Sequence, residues 1–207
     1  MNINAVATGA FEEICYLAWN AENQAIVFDP GHDADQILQA MEQHNLEVAA
    51  YVCTHGHADH INALADLHSQ HPAPIAMHSK DLEWAFEPVN QIEPFYPVPP
   101  RPDIETFLRL ESSCDWNFAD LHFQCMETPG HTPGSCCILF PEDGIMVSGD
   151  TLFKGSCGRT DLPGGSPYQL KESLVLLKQL PDETRVYPGH GPDTTIGIER
   201  ATNFFMQ

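Results

Sequence analysis

Four potential metal ligands stand close together in the stretch Thr54–His60, which reads THGHADH. The apolar run VAAYVC before it predicts a buried strand. The apolar stripe of the helix predicted after it is formed by Ile61, Leu64, Ala65 and Leu67. Because a junction between a strand and a helix can turn several side chains toward one point, the string predicts a ligand site at the edge of a sheet. Imidazole and carboxylate groups suit zinc, iron or manganese, and the absence of cysteine from the string argues against a closed structural zinc site.

Three further candidate ligands each follow an apolar run and a glycine. His131 lies in TPGHTPG, Asp150 ends IMVSGD, and His190 ends RVYPGH. Small neighbours allow the backbone to approach a shared site, so we expect these side chains at other strand ends near the THGHADH string. The remaining histidines that we considered stand alone and are expected to be solvated or packed. They are His44, His68, His71, His78 and His122.

Strands and helices alternate along the rest of the chain. Residues 3–28 predict two or three strands with a hairpin turn at AENQ, and a helix follows, with His32 or Asp33 as a possible N-cap. The segment 88–102 contains six prolines and predicts an extended surface loop, either a lid over the substrate or a passive connector. Short strands are expected over 107–150, a helix from about 167 to 180, and a last strand at RVYPGH. This succession indicates α/β layering within one domain, residues 1–207.

Composition argues against several classes of protein. The 9 Lys+Arg and 29 Asp+Glu residues give a formal net charge of −20, so nucleic acid is not an expected partner. The sequence contains no window near the roughly 20 apolar residues that a membrane span needs, and its start lacks a basic region before an apolar stretch. Seven cysteines without a C-x-x-C pair do not indicate a disulfide framework. A cytoplasmic location with no membrane partner is therefore expected.

Six segments of the chain together resemble the metallo-β-lactamase superfamily, and within it the glyoxalase II-like hydrolases, over essentially the whole chain. The resemblance is carried by FDPG, THGHADH, TPGHTPGS, SGDTLF, GSCGRTDLPGG and YPGHGPDTTIG. It implies an α/β fold in which two mixed β-sheets form an αββα sandwich with helices on the outer faces. It also implies two divalent metal ions at one edge, zinc first and iron or manganese as alternatives. The implied ligands are His55, His57 and His131 for one ion, Asp59, His60 and His190 for the other, and Asp150 as a bridge.

The function that the resemblance implies is hydrolysis of a thioester such as S-lactoylglutathione by a metal-bridging hydroxide. Asp59 and Asp150 would be the catalytic carboxylates, and Asp29 would orient a ligating histidine or simply end its strand. Lys154 and Arg159 are the candidates for binding a carboxylate of the substrate's thiol carrier.

Several alternatives stay open at this stage. Arg159 is equally able to pair with Asp161, and Cys157 beside it is expected to be a packed turn residue. The helical domain that completes the glutathione site of full-length glyoxalase II is not found after the last candidate ligand, so the thiol carrier is undetermined. The protein is expected to act on a small molecule as a monomer or homodimer.

Three rival functions belong to the same fold. A persulfide dioxygenase would use one iron held by the equivalents of His55, His131 and Asp150. A lactone or ester hydrolase and a non-catalytic relative are the other two. The SGDTLF and YPGHGPDTTIG segments favour the hydrolase over the dioxygenase.

Overall fold

The computed structural model describes residues 1–112 and 115–207, and its strands form two mixed six-stranded sheets. The first sheet consists, in spatial order, of β1 (Asn2–Thr8), β2 (Glu13–Trp19), β3 (Gln24–Phe28), β4 (Glu47–Val52), β5 (Ile75–Met77) and β6 (Leu108–Arg109). The second consists of β14 (Thr194–Thr195), β13 (Arg185–Pro188), β10 (Ile145–Gly149), β9 (Cys136–Phe140), β8 (Leu121–Glu127) and β7 (Asp115–Phe118). The strands β11 (Leu152–Phe153) and β12 (Ser156–Cys157) pair as a small hairpin.

Helices lie on the outer face of each sheet. They are α1 (Ala34–Gln43), α2 (Ala58–Ile61), α3 (Leu64–Gln70), α4 (Ser79–Leu82), α5 (Pro167–Leu177) and α6 (Ile196–Thr202). Leu64 and Leu67 pack with the outer side chains of the first sheet, and Leu170 and Leu174 pack with those of the second. The predicted αββα sandwich is therefore confirmed.

The central strands are apolar along their whole length because they are covered on both faces. In β4, Tyr51 packs toward α1 and α3, whereas its neighbour Val52 faces the opposite sheet. Phe28 of the first sheet contacts Phe140 of the second at a ring-centroid distance of 6.1 Å, and Phe123 lies 5.6 Å from Phe140. The space between the sheets is thus filled by large side chains that alternate along each strand.

The helical pattern after the THGHADH string differs from its prediction. It forms two short helices, α2 and α3, because the chain bends at Asn62 and Ala63. The amide of Ala63 donates to the carbonyls of Pro30 and Gly31, each at 3.1 Å. Tertiary hydrogen bonds there replace the continuation of one helix.

The proline-rich segment 88–102 is only partly the extended surface loop that was predicted. It begins with a 3₁₀ turn at Pro88–Asn90, and a bridge between Ile92 and Tyr96 closes a second turn. Asn90 and Tyr96 are 3% and 2% exposed, respectively. The segment is therefore anchored in the fold at two points, because each buried side chain has polar partners within the protein.

Three other local expectations need correction. Asp33 occupies the N-cap position of α1 but makes no capping hydrogen bond, since its carboxylate accepts from the amide of Gly9 at 2.9 Å. The helix α5 ends at Leu177, and tighter turns continue to Leu180. Sequence reasoning also missed β14 and α6, which follow the strand at RVYPGH.

No helix among the described residues is long and apolar enough to cross a membrane. The six cysteines in the described part of the chain are unpaired, as expected, and the seventh, Cys114, lies outside it.

Replacing Phe140 tests the central packing. Phe140→Ala leaves a cavity between the sheets because the side chain is 1% exposed, and we expect the free energy of unfolding to fall by about 3–5 kcal/mol. Phe204→Ala is the matched control, since that ring is 80% exposed, and its effect should stay within about 0.5 kcal/mol. Equal effects of the two variants in denaturant titrations would contradict this packing.

Candidate metal centre

All seven predicted ligands converge on one edge of the sandwich. The THGHADH string follows β4, His131 lies between β8 and β9, Asp150 follows β10, and His190 follows β13. The first sheet therefore contributes four candidate ligands and the second contributes three. Six of the seven are less than 10% exposed, and the side chain of His190 is 25% exposed.

The candidate ligands form two groups of three. Within each group the ligand atoms lie within 4.8 Å of one another, one group being His55, His57 and His131, the other Asp59, His60 and His190. These are the two sets that the resemblance implied. Asp29, His55 and His60 also come within this distance, but both oxygens of Asp29 already accept hydrogen bonds.

Asp150 lies between the two groups. Its Oδ2 is 3.4 Å from Nε2 of His131, and its Oδ1 is 3.4 Å from Nε2 of His60. Oδ2 also lies 3.7 Å from Nε2 of His190 in the second group. The carboxylate of Asp150 is therefore close to both groups, as a ligand shared by two cations would have to be.

Several buried atoms of the site have no hydrogen-bond partner among the described residues. They include Nε2 of His55, Nε2 of His60 and Oδ1 of Asp150. A buried polar atom without a partner costs about 1–3 kcal/mol, and a cation between these atoms would satisfy them. The donor set, five imidazoles and the carboxylate of Asp59 together with Asp150, fits two divalent ions.

The second ring nitrogen of each of four histidines contacts an oxygen. Nδ1 of His60 lies 3.1 Å from Oδ2 of Asp29, and Nδ1 of His131 lies 2.7 Å from the carbonyl of Arg159. Nδ1 of His190 lies 3.1 Å from the carbonyl of Phe11, and Nδ1 of His55 lies 3.1 Å from the hydroxyl of Thr54. When Nδ1–H donates to these oxygens, Nε2 is the ring nitrogen that can bind a metal once it carries no proton.

Asp29 fixes the start of the string as well as one histidine. Its Oδ1 accepts from the amide of Thr54 and its Oδ2 from the hydroxyl of Thr54, both at 2.6 Å. Asp29 thus occupies the position that an orienting carboxylate requires.

The charged side chains of the site shift one another's pKa values. Burial alone lowers the pKa of His60, but Asp150 and Asp59 raise it well above its ordinary value. Burial raises the pKa of Asp150, yet His60 brings it below the ordinary range of an aspartate. In contrast, burial and the proximity of His131 lower the pKa of His57 to about 3, so that His57 is neutral near pH 7. Cation binding at His60 must therefore displace a proton.

The cavity above the cluster has a volume of about 450 Å³. Its apolar walls are Phe11, Ile92, Phe153 and Leu162. This volume lies within the usual range of small-molecule sites, roughly 300–1,000 Å³.

The sequence model of the Metallo-beta-lactamase superfamily matches residues 9–190. The chain belongs to this superfamily. Hydroxyacylglutathione hydrolase GloC of Haemophilus influenzae is 32% identical over 212 residues, which cover 100% of this chain and 98% of GloC. The chain is also similar to the solved structure of BLEG-1 B3 metallo-beta-lactamase, with a TM-score of 0.92 and 31% identity over 100% of both chains.

A third similar protein, TTHA1623, was solved in a di-iron-bound form. Its TM-score is 0.86 and its identity 38%, over 98% of this chain and 99% of that one. The superfamily is one of metallo-hydrolases, and its fold implies that this chain binds divalent metal. The identity of the metal is open, because iron occupies one such neighbour.

The sequence did not predict the side chains that connect the loops carrying the candidate metal ligands. Asp81 accepts from the amides of Gly56 at 2.9 Å and Gly134 at 2.7 Å, and from the hydroxyl of Thr132 at 2.6 Å. It thereby ties the string to the loop of His131. No signal in the sequence marks Asp81, since it lies in a short polar stretch without a motif.

Asn90 fixes the string from the proline-rich segment. Its Oδ1 accepts from the amide of Ala58 at 3.1 Å, and its Nδ2 donates to the carbonyls of Gly56 at 2.7 Å and Ala85 at 2.6 Å. The segment 88–102 is therefore more than a connector, because it supports the backbone of the candidate ligands.

Glu13 is a third buried polar residue that was not predicted. Its Oε2 accepts from the hydroxyl of Thr8 at 2.7 Å, and its Oε1 lies 3.8 Å from Nδ1 of His60. Burial raises the pKa of the Glu13 carboxyl well above its ordinary value.

The side chains of the two predicted substrate-binding residues differ in their position relative to the cavity. Arg159 lines the cavity, but its guanidinium makes two hydrogen bonds of 2.7 Å to Asp161, the pairing left open from the sequence. Lys154 is exposed in the turn between β11 and β12 and is not among the residues lining the cavity. Cys157 is half-buried, and burial raises the pKa of its thiol, which argues against a thiolate nucleophile.

Replacing Asp29 tests the orientation of His60. Asp29→Asn keeps the shape but removes an acceptor from Thr54 or His60, and we expect metal affinity to fall about 10–100-fold in chelator competition. Asp66→Asn, on the exposed side of α3, is the control and should bind metal like the original protein. Unchanged affinity in Asp29→Asn would refute the orienting role.

Proposed function

We propose that this metallo-β-lactamase chain is a glyoxalase II-like thioester hydrolase with two divalent ions, zinc first and iron or manganese as alternatives. The position of Asp150 carries the proposal, because its carboxylate lies 3.4 Å from histidines of both ligand groups, His131 and His60. GloC, which is similar over the whole chain, is named a hydroxyacylglutathione hydrolase. This similarity supports a thioester substrate for this chain, with glutathione as the thiol carrier. We also propose that residues 1–207 act as one domain.

The residues assigned to the first ion are His55, His57 and His131, and those assigned to the second are Asp59, His60 and His190, with Asp150 shared. When bound, the ions supply an activated water and polarise the scissile carbonyl. In the reaction, the oxygen of water bonds to the acyl carbon, the carbon–sulfur bond breaks, and the leaving thiolate takes up a proton. Phe11, Phe153 and Leu162 restrict bulk water at the reacting carbonyl.

A persulfide dioxygenase with one iron is the second candidate, since His55, His131 and Asp150 also lie together. It would leave the group of Asp59, His60 and His190 without a cation. Nε2 of His60 is buried and unpartnered among the described residues, which supports an ion there and hence the hydrolase.

A substrate panel on metal-reconstituted protein tests the proposal. Protein loaded separately with zinc, manganese and iron is assayed with S-lactoylglutathione, glutathione persulfide, a lactone and a phosphodiester. We expect thioester hydrolysis to be fastest at two ions per chain, to disappear with a chelator and to return when metal is added. Oxygen uptake with persulfide at one iron per chain, without thioester hydrolysis, would establish the dioxygenase instead.

Asp150 gives the sharpest single substitution. Asp150→Asn retains the shape but removes the charge shared by the two groups, and we expect kcat/KM for the thioester to fall by roughly three orders of magnitude or more. Asp66→Asn makes the same change at an exposed position and should hydrolyse the thioester at the original rate. Activity near the original level in Asp150→Asn would dismiss the shared-ligand role.

A further inference from the structure

A second cavity adjoins the metal centre on the side of His57. Its volume is about 380 Å³, and its walls include Trp84, Val89, Pro133 and Pro163. It shares His57, Ile92 and Leu162 with the cavity above the ligand cluster. The two cavities are therefore adjacent, with these three side chains as common walls.

The walls of this second cavity are almost entirely apolar. Among the described residues that line it, the only ionisable one is His57, and the other polar ones are Asn90 and Gln91. Asn90 is 3% exposed and already hydrogen-bonded to the string. A charged group would therefore lose most of its hydration here, with the exposed side chain of Gln91 as its main polar partner.

A larger groove beside the metal centre has apolar walls as well, but it also contains two cationic side chains. This groove, of about 780 Å³, shares Cys157 and Arg159 with the central cavity and also contains Lys171. Arg159 and Lys171 are two of only nine Lys and Arg residues in a chain of net charge −20. An anionic part of a substrate is therefore favoured on this side, although Asp161 offsets one of the two charges.

We infer that the cavity beside His57 binds the acyl group of the substrate and that this acyl group is a bulky apolar one. The inference rests on the proposed thioester hydrolysis and specifies its substrate class. The thioester lies across the ligand cluster, with its acyl chain against Trp84, Val89 and Ile92 and its anionic thiol carrier on the side of Arg159. A lactoyl group would leave most of the apolar cavity unfilled.

A series of glutathione thioesters measures the acyl preference directly. Acetyl, lactoyl, butanoyl, hexanoyl and octanoyl thioesters share one carrier and differ only in the acyl group. A buried methylene contributes about 0.8 kcal/mol, so kcat/KM should rise about tenfold for each two-carbon step until the cavity is full. Lactoyl should be hydrolysed more slowly than butanoyl. A flat series, or lactoyl as the best substrate, would overturn the inference while leaving thioester hydrolysis in place.

Val89 and Val175 provide a matched pair of variants. Both are exposed, at 59% and 52%, but Val89 lines the cavity and Val175, on α5, lines neither cavity nor the groove. Val89→Asp puts a carboxylate in the path of the acyl chain and should lower the octanoyl-to-acetyl ratio of kcat/KM about tenfold. Val175→Asp should keep the original ratio. Equal ratios in the two variants would count against the assignment.

Binding of non-hydrolysable thioethers separates this inference from the proposed function. S-octylglutathione should bind more tightly than S-methylglutathione by at least tenfold in calorimetry, and Val89→Asp should remove most of that difference. This result without hydrolysis of any thioester would support the apolar cavity and reject the proposed reaction. Equal binding of the two thioethers would reject the cavity assignment.

Discussion

Burial of many ionisable side chains at one sheet edge is the constraint on which the structure of this site depends. Six of the seven candidate ligands are less than 10% exposed, and two of these six are carboxylates. Removing such groups from water is costly unless opposite charges or hydrogen bonds compensate. In the protein alone, the opposite charges of His60 and Asp150 compensate part of this cost. Nε2 of His60 and Oδ1 of Asp150 nevertheless have no hydrogen-bond partner in the described part of the chain. The pair of cations proposed here would compensate this cost, which gives a physical reason for metal binding at this site.

The fold makes this burial possible because it brings strand ends from both sheets to one place. The string after β4 and the ligands that follow β8, β10 and β13 come from opposite halves of the sandwich. Asp81 joins the string to the loop of His131, and Asn90 attaches the string to the proline-rich segment. These buried hydrogen bonds fix loops that would otherwise be mobile, and the ligand atoms are therefore held in position before a cation binds.

The ligands could be predicted from the sequence because each belongs to a dense string or follows an apolar run and a glycine. The strands of the sandwich were predictable for a similar reason, since their apolar runs are short and bounded by turns. Asp81, Asn90 and Glu13 could not be predicted in this way. Each is a single buried polar residue whose partners are distant in sequence, and its role depends on tertiary contacts that periodicity does not encode. The split between α2 and α3 has the same origin, since Ala63 bonds to the loop of Gly31.

Anomalous X-ray diffraction from crystals grown with zinc shows directly whether the two ligand groups hold cations. We expect two peaks about 3.5–4 Å apart, one beside the first histidine group and one beside His60. The carboxylate of Asp150 should lie between the two peaks. Peaks only at surface positions, with the imidazoles of the cluster still bonded to one another or to water, would contradict this expectation.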